Sequence, residues 1–105
     1  MSLNIIIGDY SMDLEVSPQA IAERREALER LEAHMDQGVQ LGREWIDHPS
    51  ITQRCQGAAD RLLEAIETHN QDLALLAAAY ILTRKPGVIG VKIDTNGEPG
   101  ETEFY

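Results

Sequence analysis

The stretch DLALLAAAYILTRKPG, residues 72–87, decides how the rest of the chain is read. Between Asp72 and Thr83 ten consecutive residues are apolar, apart from the hydroxyl of Tyr80. Lys85-Pro86-Gly87 closes the run, since a helix stops where proline brings no amide donor. A helix on the surface of a globular protein normally keeps one polar face. This one has none, so its whole circumference needs cover. Ten apolar residues fall far short of the ~20 that span a bilayer, so protein must supply that cover.

Upstream of the run, Ile51, Cys55, Ala58, Leu62, Ala65, His69, Leu73, Leu76 and Tyr80 recur every three to four residues, an apolar stripe at helical period. One helix over 50–84 would be about 50 Å long, long for a chain of 105 residues. His69-Asn70 is the expected break, with Asn70 capping a third helix over 71–84. The second helix starts at Ser50, which forms a capping box with Gln53. Before it lies a turn, because Pro49 pushes His48 out of helical geometry.

The first helix is announced by Ser17-Pro18, a cap followed by a proline at the first helical position. Val16 and Ile21 fit a hydrophobic staple across that start. Ile21, Leu28, Leu31, Met35 and Trp45 share a stripe. Arg25–Glu29 and Glu26–Arg30 have the spacing of ion pairs along one helix face. Gly38 and Gly42 interrupt the pattern, and the expectation is a helix running to about Trp45, bent near the glycines.

Strands flank the helices. Residues 3–7 are rich in β-branched isoleucine and end at Gly8. Residues 10–16 fit a second, acidic strand or a loop. Residues 88–93 are a strand, and Asn96-Gly97 signals a turn from which 101–105 returns as the other arm of a hairpin. The expected fold class is α+β, mainly α: an antiparallel bundle of two or three helices, with a small sheet from the N-terminal strand and a C-terminal hairpin. Residues 1–105 form a single domain. The sheet covers one side of the third helix and the other helices cover the opposite side. So short a chain is expected to leave part of the run open. Leu75, Ala78, Ala79 and Leu82 lie off the stripe and are the expected interface of a homodimer.

The 18 acidic and 9 basic residues give a net charge of −9. Phosphate backbones and anionic lipids repel such a surface, which argues against nucleic-acid and membrane-surface binding. Residues 1–15 carry −3 and residues 93–105 carry −4, so the two ends hold −7 of the −9. The acidic residues Asp94, Glu98, Glu101 and Glu103 are the expected docking site for a basic protein partner. Cys55 is the only cysteine, which fits a reducing, cytoplasmic setting. No basic segment precedes the first apolar residues, so no signal peptide is expected.

Chemistry-bearing patterns are missing. A di-iron bundle places Glu three residues before His, but Leu31 and Ile66 stand there relative to His34 and His69. No two histidines lie four apart. Cys55 and His69 are 14 residues apart, or about 21 Å along a helix, where a thiol–imidazole pair needs about 3 Å. Cys55 is expected to be a small core residue and His69 an interior or interface histidine. Asp94 to Glu98 lacks the ligand spacing of a calcium loop. Aromatic residues are too sparse for a base-stacking platform. No catalytic residues, metal or cofactor are expected. The function that follows is protein–protein interaction, as a homodimeric accessory or adaptor subunit. The alternative is a small-molecule or metal site at the helix turn around Trp45, Asp47 and His48.

Overall fold

The computed structural model describes all 105 residues. Two strands, β1 (Ser2–Ile7) and β2 (Tyr10–Glu15), open the chain. Helices α1 (Pro18–Glu23) and α2 (Arg25–Asp36) follow, then a hairpin of β3 (Val39–Leu41) and β4 (Glu44–Ile46). Helices α3 (Ile51–Glu67) and α4 (Gln71–Arg84) come next, and β5 (Gly90–Ile93) and β6 (Glu103–Phe104) close the chain. The architecture is α+β and mainly helical, as expected, though there are four helices rather than two or three.

The local stop and start signals hold. Ser17 accepts a hydrogen bond from the Ala20 amide at 3.0 Å. At α3 the Ser50 side chain accepts from the Gln53 amide, 3.1 Å, and the Gln53 side chain accepts from the Ser50 amide, 2.9 Å. Asn70 accepts from the Leu73 amide at 3.1 Å and starts α4. Between the last two helices, Asn70 N–H donates to Ala65 C=O at 2.8 Å and His69 N–H to Ile66 C=O at 3.3 Å. These two bonds form a Schellman motif, which needs a left-handed residue at its turn. His69 fills that place with φ 55 and is exposed. It is therefore a turn residue, not the interior histidine expected from the stripe.

The expected helix to Trp45 does not form. Arg24 breaks it first, leaving helical geometry and donating its side chain back to Ala20 C=O at 3.0 Å. Gly38 ends it, with φ 128, a backbone region L-residues avoid. Beyond Gly38 the chain alternates: Val39 and Leu41 are buried and Gln40 is exposed. That is strand periodicity, and Val39–Leu41 pairs antiparallel with Glu44–Ile46 around a two-residue turn at Gly42-Arg43. Val39 packs against α3 at Gly57, where an added Cβ would come within 2.9 Å of the valine methyl.

The main sheet has the order β2-β1-β5-β6. β1 pairs antiparallel with β2 and parallel with β5. Its inner face presents Leu3, Ile5, Val91 and Ile93, all buried in one core with α2, α3, α4 and the β3 strand. α4 meets α1, α2 and α3. Ala78 and Ala79 are 0% exposed and Leu82 5%, leaving only Leu75 half-buried among the four expected interface residues. The chain covers most of its own apolar run, leaving Leu73, Leu75 and Leu76 half-buried. Of the expected homodimer face, Ala78, Ala79 and Leu82 are interior and only Leu75 reaches the surface.

Charges brace the helices across elements rather than along them. Arg25–Glu29 and Glu26–Arg30 are not among the ion pairs formed. Instead Arg54 of α3 pairs with Glu32 and, at 2.7 Å, with Asp36 on α2, while Arg84 of α4 pairs with Glu32 at 2.6 Å. Arg84 also lies over the Tyr80 ring, 5.7 Å from its centroid.

Two measurable consequences follow from this core. An alanine at position 38 meets both the disfavoured backbone region and the ring of Trp45. Gly38→Ala should therefore lower unfolding stability by about 2–3 kcal/mol, read from the urea midpoint. Cys55 is fully buried, and burial pushes its thiol from 9.0 up to about 11. The unfolded thiol ionises first as pH rises, so the folded state retains the proton longer. Its stability contribution is intact below pH 9.0 and is lost as pH rises toward 11. Over that interval the wild type should lose stability relative to Cys55→Ala, as followed by urea denaturation at stepped pH.

Candidate functional site

The parallel pairing of β1 and β5 has a consequence for charge. Ile7 stands beside Ile93, so both strands finish at the same end of the sheet. Gly8 after β1 and Asp94 after β5 therefore meet there. Gly8, Lys92, Asp94, Asn96, Glu101 and Glu103 line one cleft of about 280 Å³ at this end. A second, larger cleft of about 980 Å³ lies between the 94–101 segment and the β3–β4 hairpin. Arg43, Glu44, Gln53, Gln56, Glu98 and Glu101 supply its polar wall.

The segment carrying these acids is held by specific bonds. The Asp94 carboxylate accepts from the amides of Asn96 at 3.0 Å and Glu98 at 2.9 Å, an Asx-type turn. Asp94 N–H donates to the Thr102 hydroxyl at 3.0 Å. Gln56 reaches up from α3 and donates to the carbonyls of Gly100, 3.0 Å, and Thr102, 3.1 Å. Pro99 and Thr102 are buried while Glu98, Glu101 and Glu103 are exposed and Asp94 is half-buried. Pairing of β6 with β5 then completes the expected C-terminal hairpin, with a long connection.

All four expected docking residues thus border this end of the sheet, three on the smaller cleft and Glu98 on the larger. None of the four takes part in an ion pair. Gln56 belongs with them and was not singled out from the sequence. Gln56 had a signal: a polar residue beside Cys55, Gly57 and Ala58 on the buried side of a helix requires partners.

The other expected site is only partly assembled. Trp45 is a strand residue, 53% exposed, and its indole N–H donates to the Asp47 carboxylate at 2.8 Å. Its ring lies on Gly38 and lines a separate cleft with His34, Asp60, Arg61 and Glu64. Asp47 and His48 do not line that cleft, and both are exposed. No three His, Cys, Asp or Glu side chains are grouped to hold a metal ion. No helix is long and apolar enough to cross a membrane. Comparison with protein-family models, curated proteins and solved structures gives no match.

Gln56 is the anchor of the acidic segment. Gln56→Leu leaves the Gly100 and Thr102 carbonyls without these donors, at a cost of about 1–3 kcal/mol. Amide exchange over residues 98–102 should accelerate more than exchange in α4, measured by mass spectrometry of exchanged peptides.

Proposed function

We propose that this chain is an interaction module, an accessory or adaptor subunit, that docks a basic segment of another protein on the acidic end of its sheet. The observation that carries this is the gathering of Asp94, Glu98, Glu101 and Glu103 around one end of the sheet, none of them in an ion pair. The segment is pinned by Gln56 and Asp94 before any partner arrives, so binding has little loop ordering to overcome. Lys92 and Arg43 lie at the rims of the two clefts, and the acids outnumber them. The lone thiol of Cys55 supports a reducing, cytoplasmic setting. Self-association through α4 would have only the half-buried Leu73, Leu75 and Leu76 to use, since the rest of its apolar run is interior.

An arginine-rich peptide is a suitable probe. Its affinity should fall as salt rises, since exposed charges are screened over about 10 Å at 0.1 M. Replacing Glu98, Glu101 and Glu103 with glutamine should weaken it by about tenfold. Replacing Glu23, Glu26 and Glu29 on the helices removes the same charge elsewhere and should leave affinity nearly unchanged. Equal weakening by both sets in a fluorescence-anisotropy titration would reduce the acidic end to a source of general negative charge.

A further inference from the structure

β2 is an edge strand, with β1 on one side and no strand on the other. Which of its backbone groups are free follows from the register. Val16 N–H donates to Met1 C=O at 2.7 Å, and the Met1 amine donates to Val16 C=O at 3.0 Å, so this is a hydrogen-bonded pair. In an antiparallel ladder bonded and non-bonded pairs alternate. Leu14, Met12 and Tyr10 therefore bond to Leu3, Ile5 and Ile7. Ser11, Asp13 and Glu15 turn their backbone N–H and C=O groups outward. That leaves a row of donors and acceptors spaced to receive another strand.

The two faces of this edge differ in chemistry. On the outer face stand Ser11, Asp13 and Glu15, all exposed. The Asn4 side chain on β1 holds this array, donating to the Ser11 hydroxyl at 3.1 Å and the Asp13 carboxylate at 2.9 Å. On the inner face Met12 and Leu14 are half-buried against the core, and Tyr10 is 61% exposed. An added strand sets its side chains alternately beside these two rows. Residues next to Asp13 and Glu15 are favoured as cations, and those next to Met12 and Leu14 as apolar.

We infer that the outer edge of β2 takes an extended segment of another protein in which basic and apolar residues alternate, adding it to the sheet as a fifth strand. This goes beyond the docking proposed at residues 94–103, because β2 is the sheet edge opposite β6. A second copy of the chain is the poorer occupant. Residues 1–15 contain three acids and no Lys or Arg, so β2 against β2 would bring carboxylates to carboxylates, which destabilises a strand pair.

Ser11→Pro separates strand addition from plain charge attraction. It removes an outward N–H, leaves every carboxylate in place, and is tolerated where an edge amide faces solvent. The probes are a peptide of about ten residues alternating lysine and valine, and one of equal composition with the lysines and valines in separate blocks. The alternating peptide should bind more tightly than the blocked one and shift the amide resonances of Ser11, Asp13 and Glu15 in the wild-type protein. Ser11→Pro should weaken it by about tenfold, and Asp13→Asn with Glu15→Gln by a similar factor that salt reduces. Equal binding of the two peptides, or unmoved β2 amides, would overturn the inference. If the shifts fall on residues 94–103 instead, strand addition fails while docking at the acidic sheet end stands; if neither region responds, both fail. A wild-type dimer in sedimentation equilibrium that Ser11→Pro dissociates would assign the edge to a second copy, and overturn the inference equally.

Discussion

The enclosure of α4 is the constraint on which the structure depends. Its residues Ala77 through Leu82 are all buried, with Tyr80 and Ile81 at or below 1% exposure. Each large apolar side chain removed from water contributes roughly 1.5–3 kcal/mol, so leaving any side of this helix open would be expensive. The alanines matter as much as the large residues. Ala74, Ala77, Ala78 and Ala79 are small enough for neighbouring elements to close in on several sides at once. α3 lies along one side, α1 and α2 meet another, and the inner face of the sheet completes the same core. A 105-residue chain buries most of this helix because its cover is assembled from both ends and the middle of the sequence.

Closing that core has an electrostatic by-product. Three cations of the helical region are used internally: Arg54 and Arg84 converge on Glu32, and Arg24 pairs with Asp72 at 3.4 Å. The Tyr80 hydroxyl, buried near this brace without a hydrogen-bond partner, is pushed up to about 12 by burial and then by Glu32. The acids of the two terminal segments have few such partners. Because β2 runs antiparallel to β1, Asp13 and Glu15 of the first segment stand toward the other end of the sheet, while the acids of residues 93–105 gather where β1 and β5 finish.

Short-range signals in the sequence were sufficient for most helix starts and stops. Ser17-Pro18, the Ser50–Gln53 box, Asn70 and Lys85-Pro86-Gly87 act through bonds or steric contacts within a few residues, so nothing distant can alter them. The C-terminal hairpin and its acidic turn were legible for the same reason. The β3–β4 hairpin was not. Val39-Gln40-Leu41-Gly42-Arg43 carries strand alternation and a turn, but Gly38 and Gly42 fit a bent helix as well until Val39 is seen against Gly57 of α3. His69 was misread in the same way, since its helical spacing matched the stripe although its backbone had already left the helix.

The sequence by itself determined the class of fold, the helix boundaries set by caps and proline, the burial of Cys55, and the acidity of both termini. Only the tertiary structure decided how α4 is covered, that Ala78, Ala79 and Leu82 are interior, that Gly8 meets Asp94, and that Ser11, Asp13 and Glu15 lie on an edge strand. The first group rests on interactions between residues a few positions apart. The second rests on which strands pair and in which direction, a choice made by the whole core at once, and no short stretch of sequence contains it.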